Sequence, residues 1–384
     1  MKIAFVRTAS NILKYGGYNI QEIGLAKALL KYDVSTDVYA RFSNVDKVTE
    51  VACEEKNRVE VHPLVGKQIY REIMYYPSLK KDLCEGGYDI VQLLDDSQMM
   101  LPMLFKALKN QGVKTILWQG MYRNFPAKPA RMMQMVYDLL LAKTLDFYSD
   151  LKIAKTEAAK EYLSKKHYHN IITLPVGLDS VEYQVNSAFD KIIDDFKKQN
   201  PFILLYIGAV EKRRNPHFLI DLFNSWDRDG GGLIVIGKGP MKDELKKEIA
   251  LSHKKEKILY FESVPNKELI SVYKRANVFL LPTNYEIYGM VVMEALSMGI
   301  PVISTPEAGP QYILGNERLG KCLPLRKEEW ISSIEFYGSN YTSSDDNIYR
   351  IQYVENHFRW PLIAERYYDI LRNLYAGKLK IVYA

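Results

Sequence analysis

Two carboxylates eight residues apart carry the strongest chemical signal in the chain. They lie in Pro282-Thr-Asn-Tyr-Glu286-Ile-Tyr-Gly289-Met-Val-Val-Met-Glu294-Ala-Leu. Glu286 falls in a loop after an apolar run, and Glu294 on the helix into which that loop leads. Gly289 permits close backbone approach at the helix start. The unpaired N–H groups and dipole of a helix N-terminus favour an anion there. A carboxylate accepts two strong hydrogen bonds, which suits sugar and ribose hydroxyls. The segment can therefore hold a phosphorylated, hydroxyl-rich ligand, and it also reads as surface acids with a helix cap. Asp95 and Asp96 follow another apolar run; they are candidates to contact a second substrate, or to cap a helix. Metal chemistry has little support. Of six histidines, only His167 and His169 are close in sequence, in a Lys-rich loop that reads as exposed. Asp227-Arg-Asp229 precedes Gly230-Gly-Gly232 and a strand, where a turn is the simpler reading. Cys53, Cys84 and Cys322 are scattered, without metal-ligand spacing or a disulfide framework, and a reducing, cytosolic compartment fits them.

The elements that position these residues are short apolar runs alternating with helical patterns. The first half offers strands at Lys2–Val6, Val59–His62, Asp89–Leu93, Thr115–Gln119, Leu151–Lys155 and Ile171–Leu174. The second half offers Phe202–Ile207, Gly232–Ile236, Lys257–Phe261, Asn277–Leu281 and Pro301–Thr305. Continuous Val/Ile/Leu/Phe runs without alternation mark strands covered on both faces, as in parallel α/β sheets. Helices between them imply βαβ crossovers. The chain's 384 residues exceed what one core usually supports, and the pattern restarts near Phe202. Two doubly wound domains are expected, divided after the turn-rich Leu174-Pro-Val-Gly-Leu-Asp179 into 1–180 and 181–357. Ligands of such sheets bind beyond the carboxyl ends of the strands, and a cleft faced by two domains is a common substrate site.

Glu286-x7-Glu294, followed by Glu294-Ala-Leu-Ser-Met-Gly-Ile-Pro-Val-Ile303 and Glu307-Ala-Gly-Pro310, resembles the retaining family-4 glycosyltransferases. The resemblance implies an α/β fold of the GT-B type: two Rossmann-like domains facing a cleft, with a C-terminal helix, here 358–384 from Phe358-Arg-Trp360, crossing back to the N-domain. It implies that Glu294 binds the donor ribose, that Glu286 contacts the transferred sugar, and that amides around Tyr288, Gly289 and Met290 meet sugar or phosphate oxygens. Tyr206-Ile-Gly208-Ala-Val-Glu-Lys212-Arg213-Arg214 is similar to the family's strand, glycine and basic pair. Arg213 and Arg214 would then hold the donor diphosphate, with Lys212 as a rival; without the resemblance the cluster reads as solvated. The family often has Arg directly after the glycine, where this chain has Ala209. Val235-Ile-Gly237-Lys-Gly239-Pro240 resembles an architectural turn, Val264 lies in a stretch resembling the base-binding strand end, and Gly16-Gly17 resembles the glycine loop facing the donor. Many members carry His where this chain has Gln119, which cannot act as an acid or base. Asp95, Asp96 and Gln119 are the acceptor-side candidates.

The resemblance implies retaining transfer from a nucleotide diphosphate sugar to a hydroxyl of a glycan or lipid-linked acceptor, with no protein nucleophile. The lack of a metal-ligand cluster in the sequence, with Arg and helix termini available in place of Mg²⁺, favours a metal-independent enzyme without a cofactor. Bacterial surface-polysaccharide synthesis is the expected pathway. A catalytically silent GT-B subunit and a nucleotide-sugar epimerase are the alternatives. Residues 106–170 hold 12 Lys/Arg against 5 Asp/Glu, while the rest of the chain is about neutral. That excess suits an anionic partner or a solvated face; no nucleic-acid motif is present. Residues 129–145 present a broad apolar face beside Arg123, Lys128, Arg131 and Lys143, which suits either an anionic membrane surface or a buried helix. No run approaches a membrane span, and Met1–Arg7 is no signal peptide. A cytoplasmic protein is expected, with peripheral contact at the inner face of the cell membrane as an option.

Overall fold

The apolar runs form two largely parallel sheets. The structure is a computed structural model, which describes all residues except 17–19, 71–72, 181–187 and 379–384. In chain order the first ten strands are β1 Lys2–Val6, β2 Ser35–Ala40, β3 Thr49–Glu54, β4 Asn57–Pro63, β5 Lys67–Tyr70, β6 Ile73–Tyr75, β7 Ile90–Leu94, β8 Lys114–Gln119, β9 Leu151–Ala154 and β10 Ile171–Thr173. Eight of them make one sheet in the order β10-β9-β8-β7-β1-β2-β4-β3, and β5 and β6 pair separately. Only β3 runs antiparallel in the large sheet. The remaining strands are β11 Phe202–Ile207, β12 Gly231–Ile236, β13 Ile258–Phe261, β14 Val278–Leu281, β15 Val302–Ser304 and β16 Gly320–Cys322. They make a six-stranded parallel sheet in the order β13-β12-β11-β14-β15-β16. Every residue of β7, β11, β12 and β14 is buried, as helices on both faces require.

Strand order fixes where ligands can bind. The second sheet runs outward in both directions from its first strand, β11. The loops after β11 and β14 therefore leave their strand ends toward opposite faces and open a crevice between them. In the first sheet the same reversal falls between β1 and β7.

Met1–Asp179 together with Arg359–Ala384 form one compact unit, and Ser180–Phe358 form another. The first unit is closed by the helix Trp360–Tyr375, which packs on the helix Gln21–Leu29. Its anchor is Trp360, buried against Gly24 and Gly177; a Cβ on either glycine would lie within 2.4 Å of the indole. Further along, the buried Tyr367 donates to Gln92 Oε1 at 2.6 Å and meets Phe5 and Trp118 edge-on.

Candidate active site

The basic cluster and the first carboxylate meet at the crevice of the second sheet. After β11, Gly208 donates its N–H to Ile236 O at 3.0 Å, and the chain then turns into a short 3-10 helix, Lys212–Arg214. Asn284 donates its N–H to Arg213 O at 2.7 Å, Arg213 Nη1 donates to Tyr285 O at 2.8 Å, and Asn215 Nδ2 to Pro282 O at 3.3 Å. These bonds stitch the β11 loop to the β14 loop. They leave Arg214 Nη1 2.5 Å from Glu286 Oε2, each side chain only 12% exposed. Arg214 Nε is buried and meets no hydrogen-bond acceptor among the described residues. A buried guanidinium donor in that condition is costly unless a ligand oxygen completes it. Arg213 is instead spent on the Tyr285 carbonyl and on Glu211 at 2.8 Å, and Lys212 is exposed.

Glu286 is also held from the other side. Its Oε1 accepts from Gly289 N at 2.9 Å and Tyr288 N at 3.3 Å. This corrects the expectation that both amides face ligand oxygens, because the carboxylate already takes them. At the start of the helix Met290–Ser297, Val292 and Met293 donate their N–H groups to Gly289 O at 2.9 and 3.4 Å, while the Met290 amide precedes the first helical bond. Gly289 sits at φ +86°, a left-handed conformation that glycine adopts without a Cβ penalty. Gly309 lets the next loop pass directly beneath: a Cβ there would lie 2.0 Å from Tyr288 O. Glu294, one turn into the helix, accepts from Tyr273 OH at 2.9 Å. Burial pushes its carboxyl well above the ordinary value. Val264 follows β13 and is half-buried. In the first unit, Gly16 lies in an exposed turn whose neighbour Tyr15 is pinned by Asn44 at 2.8 Å; Gly17 lies outside the described residues.

The acceptor-side candidates converge at the carboxyl ends of β7 and β8, but two of the three face inward. Asp96 is fully buried, 2.6 Å from Lys166 Nζ, and exchanges hydrogen bonds with the buried Gln119 at 2.9 and 3.1 Å. Both are occupied in closing the strand ends, so neither is placed to meet an acceptor. Asp95 accepts from Gly120 N at 2.8 Å and remains half-buried. Burial raises its carboxyl pKa against the attraction of Lys155. Lys155 in turn donates to Gln21 Oε1 at 3.0 Å, and burial lowers its pKa. Sequence reasoning passed over Lys155 and Lys166. Lys155 was findable, since it ends a strand run as Asp95 follows one; nothing local marks Lys166.

Among the described residues, Asp37, Glu60 and His62 are close enough to hold a metal. They lie on β2 and β4, and Asp37 already has Lys2 Nζ at 3.1 Å and Tyr88 OH at 2.6 Å. Asp227 and Asp229 are exposed in the turn before β12, at the amino end of that strand rather than with the carboxyl-end loops.

Two Rossmann-like units, with the last helix returned to the first, define the GT-B fold. Solved structures agree over nearly the whole chain. Sucrose-phosphate synthase from Thermosynechococcus elongatus superposes with a TM-score of 0.73 at 18% identity, covering 98% of this chain and 99% of that one. Anabaena HepE in complex with UDP-glucose gives 0.70 at 14% identity, covering 97% and 100%. Residues 189–339, within the second unit, match the family profile described as glycosyl transferases group 1. Among sequence relatives, a probable sucrose-phosphate synthase of Thermosipho melanesiensis is 23% identical over 242 residues, which is 58% of this chain. The match spans 54% of that relative, about half its length.

Proposed function

We propose that this protein is a retaining glycosyltransferase that moves a sugar from a nucleotide diphosphate sugar to a hydroxyl of a glycan or lipid-linked acceptor. The observation that carries this is the Arg214–Glu286 pair at the β11/β14 crevice, with Arg214 Nε still lacking an acceptor. In this reading the diphosphate lies against Arg214 and the opening amides of the helix Met290–Ser297. Glu294 takes the ribose hydroxyls, and Glu286 takes hydroxyls of the sugar. The bond between the anomeric carbon and the leaving phosphate oxygen breaks as the acceptor oxygen bonds to that carbon on the same face. The acceptor proton passes to the departing phosphate oxygen, so no protein nucleophile takes part. Arg214 and the amides stabilise the growing charge in place of a metal ion, as preorganised donors do elsewhere. This differs from the paired carboxylates of glycosidases, which act as acid with base or nucleophile.

Synthesis of a bacterial surface polysaccharide at the inner face of the membrane, by a cytoplasmic or peripherally held enzyme, is the proposed setting. No helix among the described residues is long and apolar enough to cross a membrane. The test is transfer by the purified protein from a panel of nucleotide sugars in EDTA, with the product anomer read by NMR. The reading requires turnover in chelator and retention of the anomeric configuration. Turnover restored only by Mg²⁺ or Mn²⁺, or an inverted product, contradicts it.

A further inference from the structure

The helix Lys128–Tyr148 leaves one broad apolar face uncovered. Leu139 is 82% exposed, Met132 and Leu140 are each 68% exposed, and Met135 and Val136 lie beside them. Only Gln134, Ala142 and Leu145 are buried. A contiguous apolar surface of this kind marks an interaction site. Its charge has one sign. The exposed charged residues of the helix are Lys128, Arg131 and Lys143, while Asp138 is held by Lys166 at 2.9 Å and Asp146 by Lys152 at 2.6 Å. An apolar face with a basic flank lies on anionic bilayers, the basic groups near the surface adding electrostatic attraction.

A cavity of about 380 Å³ opens beside this face. Ala130 and Met133 of the helix form one wall, with Phe125, Met74 and Met99 around it; Met133 is also exposed, so wall and face are continuous. Ser10 and Ser97 supply polar groups from the loops after β1 and β7. These loops flank the reversal point of the first sheet, where a doubly wound sheet binds its ligand. An apolar cavity of about 150 Å³ holds benzene, so this one has room for a segment of alkyl or isoprenoid chain.

We infer that the acceptor is an amphiphile: its apolar chain enters this cavity from an anionic bilayer on which the face around Leu139 rests. The inference builds on the proposed glycosyl transfer, selecting the lipid-linked class from its two kinds of acceptor. The full chain is tested in two ways. In flotation, it should rise with vesicles of phosphatidylcholine and phosphatidylglycerol but not phosphatidylcholine alone, less so at high salt, and not as Leu139→Gln/Leu140→Gln. In calorimetry without vesicles, octyl phosphate should bind and inorganic phosphate should not. Ala130→Phe should weaken octyl phosphate binding by about tenfold or more, with Met133→Trp as the second cavity variant should the first fail to fold. Nucleoside diphosphate binding should be unchanged in every variant that folds. Flotation indifferent to lipid charge or to the Leu substitutions overturns the inference, as do octyl phosphate binding that is absent or indifferent to the cavity variants, and a dimer in sedimentation that the Leu substitutions abolish. Lipid and octyl phosphate binding without any nucleotide binding would instead remove the transfer reading and leave the amphiphile site standing.

Discussion

Glu286 is gripped from two sides, by Arg214 and by the amides of Tyr288 and Gly289. Removing its carboxylate therefore strips a helix N-terminus as well as a sugar contact. Hydrogen bonds to charged groups contribute about 1.5–3 kcal/mol. Glu286→Ala is expected to cut turnover by about tenfold or more and to lower Tm, while calorimetric affinity for the free nucleoside diphosphate is retained. Glu294 gives a pH signature. Burial holds its proton above the ordinary range, and ribose hydroxyls donate best to the ionised form. Binding should then expel a proton, so affinity should rise with pH, and Glu294→Gln should flatten that rise. Nucleotide titrations in buffers of different ionisation enthalpy read the released proton. The same shift bears on stability with the opposite sign. The folded state holds this proton more tightly than the unfolded chain, so its contribution is full below about pH 4.3 and is lost as pH rises through the folded value.

The loops that aim these residues depend on close backbone passage. Gly309→Ala would drive a Cβ into Tyr288 O, and overpacking typically costs about 1–3 kcal/mol. Because Tyr288 adjoins the Glu286 turn, the variant should lose kcat by more than its fall in Tm explains; kinetics beside a melting curve checks this. The strands of both sheet centres were legible in the sequence because their residues are apolar on both faces. β2 was not: Ser-Thr-Asp-Val-Tyr-Ala reads as polar, yet Thr36 and Asp37 are buried. Burial alone would raise the Asp37 carboxyl, but His62, Tyr88 and Lys2 outweigh it and hold the pKa below the usual range. Those partners are distant in sequence, which is why no local pattern announced the strand. The loop carrying Glu286 was legible from its motif, whereas Arg214 rather than Arg213 as its partner depends on bonds between two loops. The inward-facing Asp96 and Gln119 were hidden for the same reason, since Lys166 comes from another element. The helix Lys128–Tyr148 was visible as a broad apolar face, and burial alone decides that most of this face is uncovered.

At the scale of the whole chain, two cores are tied by a segment that returns to the first. Trp360→Ala removes the anchor against Gly24 and Gly177. A buried large aromatic replaced by Ala costs about 3–5 kcal/mol, and the loss should fall on the first unit. Calorimetry should show that unit melting earlier while the second, which holds the proposed donor site, keeps its ligand response. A nucleoside diphosphate at 100 times its Kd should stabilise that unit by about 2.7 kcal/mol. The most direct measurement for the donor site is a calorimetric titration of the full chain with UDP, GDP and ADP in EDTA, repeated with Arg214→Ala. The crevice geometry predicts that at least one nucleoside diphosphate binds without metal, and that Arg214→Ala weakens it by about tenfold or more with the fold intact. Binding of none of them, or equal affinity in the wild type and a folded Arg214→Ala variant, contradicts it.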